Sequence, residues 1–416
     1  MAGEGLEDVT LALYAVSTST AIESEREVQM THGTTVDLLA ESRFSPVIDA
    51  FANTLDETDR SGAALSVWLD GQPVIEARGG TADARTGAPW QPDTLAVVFS
   101  CTKGLAAIAI GHLLQSGALS SLDMPLADIW PEFAAHGKGE VSVGDALAHR
   151  AGVPAPRVDV TLDQLLDGNS FARIIAEQEP FWTPGSAHQY HAVTVGAISQ
   201  QIVSRIAGRS LGDYFASEIA RPLKADVWIG LPAEHEPRVA HIIEGQPAPP
   251  SPDADGNPDL EWLTRAITLG GAIPPNLLGP GLGFNEPELH ATEIGGAGGI
   301  SSATGLARIW SATVVETCGV RLWNTETARA LARPRSVGTP FFDSGPPPYQ
   351  SWGAGVMISS GWDPYLTPAS FGHDGAGGQV AFADPDSRIG FAYVTNRLVD
   401  MERGISVVTA LRDALG

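Results

Sequence analysis

The chain has 416 residues and carries 25 Lys and Arg against 49 Asp and Glu, a formal charge of −24. At about 150 residues per domain, that length makes two or three folding units or one large unit with insertions, and 43% hydrophobic residues can fill a substantial core. Lysine occurs only as Lys103, Lys138 and Lys224, and the acidic balance excludes nucleic-acid backbones and anionic membranes as expected partners, since both need clustered cations.

No apolar run approaches the ~20 residues that span a bilayer, and Cys101 and Cys318 form neither a disulfide framework nor a CxxC pair. Residues 1–35 are rich in Ser, Thr and Glu with little periodicity and read as an N-terminal extension open to disorder, with Met30 an alternative start. The opening Met-Ala-Gly-Glu-Gly-Leu-Glu-Asp is acidic where a secretory leader is positive, and the apolar stretch from Leu11 to Val16 is short, so a cytoplasmic address is the expectation. From Val36 onward, Leu38, Leu39, Val47, Ile48 and Phe51 recur at helical spacing. Two apolar runs, Ala64 to Leu69 and Gln72 to Glu76, flank Asp70-Gly71 and predict a hairpin.

The stretch from Lys103 to Leu114 is apolar nearly all round, which predicts a buried helix, and Gly117 is placed to end it. Residues 120–235 read mainly as helices with Pro and Gly breaks, including one from Val193 to Ile206, and Gly245 to Pro258 reads as a long loop. Beyond Gly295 the helical signal fades. Gln379 to Ala383 and Arg388 to Val394 predict a second hairpin, and Ile405 to Leu415 a final helix. Strands near both ends with helices between them predict an α+β fold, with one sheet built from both termini and an inserted helical region.

The chemistry gathers at Phe99-Ser100-Cys101-Thr102-Lys103, which opens the buried helix. Capping is the ordinary reading of a serine there. Lys103 resists it, because a cation in the first turn faces the positive end of the helix dipole, where a capping box places Glu or Gln. Residues three apart share a helix face, and apolar neighbours depress a lysine pKa. That is an environment for activating a serine hydroxyl. Gly208-Arg209-Ser210-Leu211-Gly212 also matches the G-x-S-x-G nucleophile elbow. The elbow requires a preceding strand, whereas Val193 to Ala207 reads as a helix, so Gly208 is taken as a C-cap and Ser210 as an N-cap with Asp213 three residues on. No HExxH occurs and the acidic residues form no recognisable metal site, so neither metal nor cofactor is expected.

Ser100-x-x-Lys103, the apolar helix and Gly117-Ala118-Leu119-Ser120-Ser121-Leu122-Asp123 together resemble the serine β-lactamase and penicillin-binding-protein superfamily. Within it, the likeness is to the class C β-lactamase-like esterases, the family VIII carboxylesterases. Leu147-Ala148-His149-Arg150-Ala151-Gly152-Val153 and Trp182-Thr183-Pro184-Gly185 with Tyr190 follow in the family's order. So do Gly298 to Ala303, similar to a glycine-rich structural turn, and Phe371-Gly372-His373-Asp374-Gly375, similar to the family's third motif.

The resemblance spans residues 40–416. It implies an antiparallel sheet flanked by helices over 36–116 and 290–416, with a mainly helical insertion over 117–289. It implies Ser100 as nucleophile, Tyr190 as the base that takes its proton, and Lys103 as the group that keeps Tyr190 poised. The backbone N–H groups of Ser100 and Ala376 would form the oxyanion hole. His373 and Gly375 fall on the substrate side, Gly375 letting a ligand approach the strand backbone. His149 and His191 read as structural or as supports behind the site. Two departures narrow the activity: Tyr190-His191-Ala192 stands where related lactamases have Tyr, one residue and Asn, and His373-Asp374-Gly375 where they have Lys-Thr-Gly. The lost amide and ammonium suit a β-lactam carboxylate, so the expected activity is hydrolysis of small or short-acyl esters, with a small-molecule ester as partner. A β-lactamase, a D-amino-acid peptidase or amidase, an acyltransferase and a non-catalytic scaffold are the alternatives. The loop from Gly245 to Pro258 and the segment from Gly338 to Tyr349 are candidates to line the pocket.

Overall fold

The computed structural model describes residues 25–31, 34–40, 42–55, 60–245, 257–279, 282–343 and 345–416. Its strands are β1 (Glu25–Thr31), β2 (Thr34–Ala40), β3 (Gly62–Leu69), β4 (Gln72–Asp83), β5 (Ala88–Pro89), β6 (Ala96–Phe99), β7 (Val227–Ile229), β8 (Ile243–Glu244), β9 (Gly299–Ser301), β10 (Met357–Ile358), β11 (Phe371–Gly375), β12 (Gln379–Asp384), β13 (Ile389–Thr395) and β14 (Arg397–Leu398). Nine of them form one antiparallel sheet in the order β1-β2-β4-β3-β13-β12-β11-β10, with β5 on β4. The centre joins both ends of the chain, with Leu65 opposite Tyr393 and Val67 opposite Phe391. Both predicted hairpins are present, and Asp70 and Gly71 take φ of 53° and 76°, the positive values of a tight turn that matches strand twist. A second sheet, β6-β9-β7, stands beside the first and leads into the motif serine.

The helices are α1 (Ser45–Ala52), α2 (Cys101–Gln115), α3 (Val143–Leu147), α4 (Leu162–Leu166), α5 (Asn169–Glu177), α6 (Thr194–Ala207), α7 (Leu211–Phe215), α8 (Leu260–Thr268), α9 (Pro287–Ala291), α10 (Ala303–Val314), α11 (Thr325–Ala332) and α12 (Glu402–Leu415). Side-chain size sorts the two faces of the large sheet. Val380, Phe382, Phe391 and Tyr393 pack with α1 and α12, while Ala381, Ala383 and Ala392 belong to the core shared with α2 and α10. Small residues let those two helices lie close to the strands. The core they share runs on into α6 and α7, so α2 is covered by sheet on one side and by helices on the other. Its Gly104 and Gly111 have a packing cause: a Cβ there would run into the rings of Trp310 and Trp323.

Four expectations change. Thr34–Ala40 is a strand, and the helix of that region starts only at Ser45; β2 is held by pairing with β4, with Val36 opposite Gly79 and Leu38 opposite Ala77, a tertiary cause that local spacing does not register. The extension read over 1–35 lies outside the described residues as far as residue 24, and from Glu25 it is paired strand. After Gly295 the chain still forms α10 and α11. The Gly298–Ala303 stretch, read as a turn, is β9 running straight into α10, whose cap is Ser302 accepting from the Gly305 N–H at 3.1 Å. Among the described residues no helix is long and apolar enough to cross a membrane, and no cluster of side chains could hold a metal ion.

Candidate active site

β6 ends at Phe99, a non-glycine residue at φ 43°, and this left-handed turn delivers Ser100 to the start of α2. Ser100 itself has helical backbone angles and makes no capping bond, so the capping reading does not hold. Its Oγ lies 2.9 Å from Lys103 Nζ and accepts the Tyr190 hydroxyl at 2.8 Å. Lys103 is 3% exposed, donates to the Gly296 carbonyl at 2.6 Å, and lies 4.9 Å from the centre of the Tyr190 ring. The structure therefore brings together the three side chains that the sequence singled out.

The electrostatics of the three differ in sign. Burial in apolar surroundings holds the Lys103 amine down at about 7. Desolvation pushes the Tyr190 phenol above its usual range, although its bond to Ser100 pulls the other way. Near neutral pH the lysine is the group that changes charge, and the tyrosine keeps its proton. With Lys103 protonated, the 2.9 Å contact donates to Ser100 Oγ; with Lys103 neutral, the same contact can accept the serine hydroxyl.

β11 supplies the opposite wall and is tied to α2 by the Cys101 thiol, which donates to the His373 carbonyl at 3.1 Å. His373 is buried, and desolvation holds its imidazole down to about 3, so the ring is neutral. Its Nδ1 lies 2.7 Å from the Asp374 carbonyl and must carry the hydrogen, which leaves Nε2 a buried acceptor without a partner among the described residues. The Asp374 carboxylate accepts the Tyr365 hydroxyl at 2.8 Å, and burial pushes its carboxyl well above the usual range. Gly375 also has a packing cause: a Cβ there would strike the Val98 carbonyl, so the glycine serves the approach of β11 to β6.

Ser100, His373, Gly375 and Ala376 line one cavity of about 240 Å³, whose other walls include Val193, Ile273, Leu277, Phe284 and Met357. A neighbouring cavity of about 230 Å³ is lined by Tyr190, Tyr349, Trp352, Trp362, Leu263 and Ala266, among others. Pro340, Pro346 and Tyr349 put the segment from Gly338 to Tyr349 on its wall, whereas residues 246–256 of the expected loop lie outside the described residues.

The Trp352 contact escaped the sequence reading, which takes His149 and His191 as structural or as supports behind the site. Trp352 stacks on Tyr190 with ring centres 5.2 Å apart and planes 13° apart. It carries no signal beyond being a tryptophan after a proline-rich segment. His149 meets Trp352 edge-on at 4.5 Å and Tyr190 at 5.1 Å, and its Nδ1 accepts the His191 N–H at 3.2 Å, so both histidines stand directly behind the tyrosine. Ser210, by contrast, caps α7: it accepts the Asp213 N–H at 3.1 Å and donates to the Glu293 carboxylate at 2.5 Å, after a helix that ends with Gly208 in the left-handed region.

A serine at the head of a buried helix, beside an antiparallel sheet and within reach of a lysine and a tyrosine, defines a serine hydrolase. The chain belongs to the beta-lactamase family, whose sequence model matches residues 47–415. An esterase/beta-lactamase of Mycobacterium tuberculosis, LipL, is 33% identical over 371 residues, which cover 86% of this chain and 82% of that protein. A family VIII carboxylesterase superposes with a TM-score of 0.79 at 30% identity, covering 90% of this chain and 98% of that one. A penicillin-binding protein homologue from Caulobacter crescentus gives 0.78 at 30% identity over the same shares.

Proposed function

We propose that this serine hydrolase is a carboxylesterase that cleaves small or short-acyl esters through an acyl-enzyme on Ser100. The observation that carries the reading is the placement of Ser100 Oγ between Lys103 and Tyr190 on the wall of a cavity that holds Ala192 and a neutral His373. Among the described residues that line this cavity there is no Lys or Arg to meet the carboxylate of a β-lactam. The esterase in the name of the LipL relative and the carboxylesterase among the structural neighbours support the same reading.

In acylation, Ser100 Oγ bonds to the ester carbonyl carbon while neutral Lys103 takes the serine proton. The carbonyl oxygen becomes an oxyanion facing the backbone N–H groups of Ser100 and Ala376. As the carbon–alkoxide bond breaks, Tyr190 gives its proton to the departing oxygen, and the Lys103 ammonium restores it. This exchanges the roles expected from the sequence, because the amine titrates near neutrality and the phenol does not. Water then repeats the sequence on the acyl-enzyme and releases the acid.

Hydrolysis of p-nitrophenyl butyrate, with the Ser100→Ala protein as blank, tests the reading. The expected result is a rate that vanishes in Ser100→Ala while the far-ultraviolet circular dichroism stays unchanged. A rate retained there and lost in Ser210→Ala overturns it.

A further inference from the structure

The two cavities beside Tyr190 differ in chemistry as well as position. Ser100 and Ala376 line only the first, Tyr349 and Trp352 only the second, and Tyr190 faces both. The walls of the first mix aliphatic groups, Val193, Ile273, Leu277 and Met357, with Phe99, Phe284, His373 and Asp374. Those of the second carry a larger share of rings and, among the described residues, no Asp, Glu, Lys or Arg. Trp362 closes the junction yet is 47% exposed, an unusual position for a large ring on a protein surface.

We propose that the second cavity is the alcohol subsite and that it takes an uncharged alcohol bearing an aromatic ring. The inference rests on the esterase reading. During acylation the carbonyl carbon sits on Ser100 with its oxygen toward the Ser100 and Ala376 backbone, which places the acyl group in the first cavity. The departing oxygen needs a proton. Of the donors that line both cavities, Tyr190 is the one hydrogen-bonded to Ser100 Oγ, at 2.8 Å, whereas Lys103 lines neither. The alcohol therefore leaves past Tyr190 into the second cavity, where Tyr349, Trp352 and Trp362 offer faces and edges to a flat ring. The absence of ionic groups from that wall makes a charged alcohol costly to desolvate.

One comparison holds the acyl group fixed, and a second, methyl butyrate against methyl acetate, varies it. Methyl, benzyl and cyclohexylmethyl butyrate have leaving oxygens of similar basicity, and kcat/KM is measured for each on the intact protein, Tyr349→Ala, Ala266→Phe and Leu277→Ala. Tyr349 and Ala266 line only the second cavity and Leu277 only the first. The intact enzyme should prefer benzyl over cyclohexylmethyl. Tyr349→Ala should lower the benzyl-to-methyl ratio by about tenfold, and Ala266→Phe, which fills the cavity, by more. Tyr349 is half-exposed, so its truncation keeps the test sound if Ala266→Phe fails to fold. Leu277→Ala should instead change the butyrate-to-acetate ratio of the methyl esters.

Equal use of benzyl and cyclohexylmethyl esters overturns the aromatic assignment. A benzyl-to-methyl ratio unmoved by Tyr349→Ala, with the butyrate-to-acetate ratio moved instead, shows that the cavity holds the acyl group and overturns the alcohol assignment. If no variant hydrolyses any ester, or Ser100→Ala keeps the rate, the esterase reading fails and takes this inference with it.

Discussion

Ser100 and Ser210 each stand one residue before a helix, and their hydroxyls are used in opposite ways. Ser210 satisfies a backbone N–H of α7 and is anchored by the Glu293 carboxylate, with an acidic residue, Asp213, in the helix's first turn. The Ser100 side chain bonds no backbone group of α2, that helix has no acid in its first turn, and the hydroxyl faces an amine and a phenol. A serine that completes a helix end has its lone pairs committed to structure. One left out of the cap can serve as a nucleophile, provided a base without charge lies within reach. In the mechanism proposed above, the buried Lys103 amine is that base, whereas the Ser210 hydroxyl is bonded to the Glu293 carboxylate.

Substitutions sharpen the contrast in order of effect. Ser100→Ala should lower ester turnover at least about 10⁴-fold, read as initial rate against buffer. Lys103→Met should cost about 10³-fold while raising stability. A lysine whose pKa falls from 10.5 to about 7 on folding costs about 4 kcal/mol at pH 7. After loss of the bond to the Gly296 carbonyl, a net gain of about 1–3 kcal/mol should appear in urea denaturation. Since the unfolded chain binds this proton more tightly, the stability of the parent should climb from about pH 7 toward 10.5 and that of the variant should not.

Tyr190→Phe keeps the ring on Trp352 and should lower kcat/KM by about 10²-fold, less for esters whose alcohols leave readily without a proton. The pH profile comes next: kcat/KM should rise with a midpoint at about 7 as Lys103 becomes neutral, and a flat profile across that pH would remove the amine from the base role. Ser210→Ala should leave kcat within twofold and cost about 1 kcal/mol of stability through the lost cap.

Legibility in the sequence followed the range of the interactions. The Asp70-Gly71 hairpin, the hairpin through β12 and β13, the buried helix and the cap at Ser210 are made by near neighbours, and each was readable. So was the spacing of Ser100 and Lys103, and Tyr190 came through family likeness. What stayed hidden is long-range. β2 exists because β4 lies beside it, and α10, with Gly305, Ile309, Trp310, Thr313 and Val314, is a poor helix former stabilised by the sheet it covers. Trp352 and the Gly296 carbonyl reach the site only through the fold, and no local pattern distinguishes them from ordinary core. The proton assignment on Lys103 and Tyr190 depends on the degree of burial, which spacing does not supply.

The pairing of β3 with β13 has a consequence for the order of synthesis. On the ribosome, the β3–β4 hairpin and Ser100 emerge long before the strands that complete the middle of the sheet and carry His373 and Ala376. Until then β3 presents an open, apolar edge that invites pairing with a neighbouring nascent chain. The same order leaves Ser100 without the cavity walls supplied by β11 and the residues beyond it until those strands have joined β3.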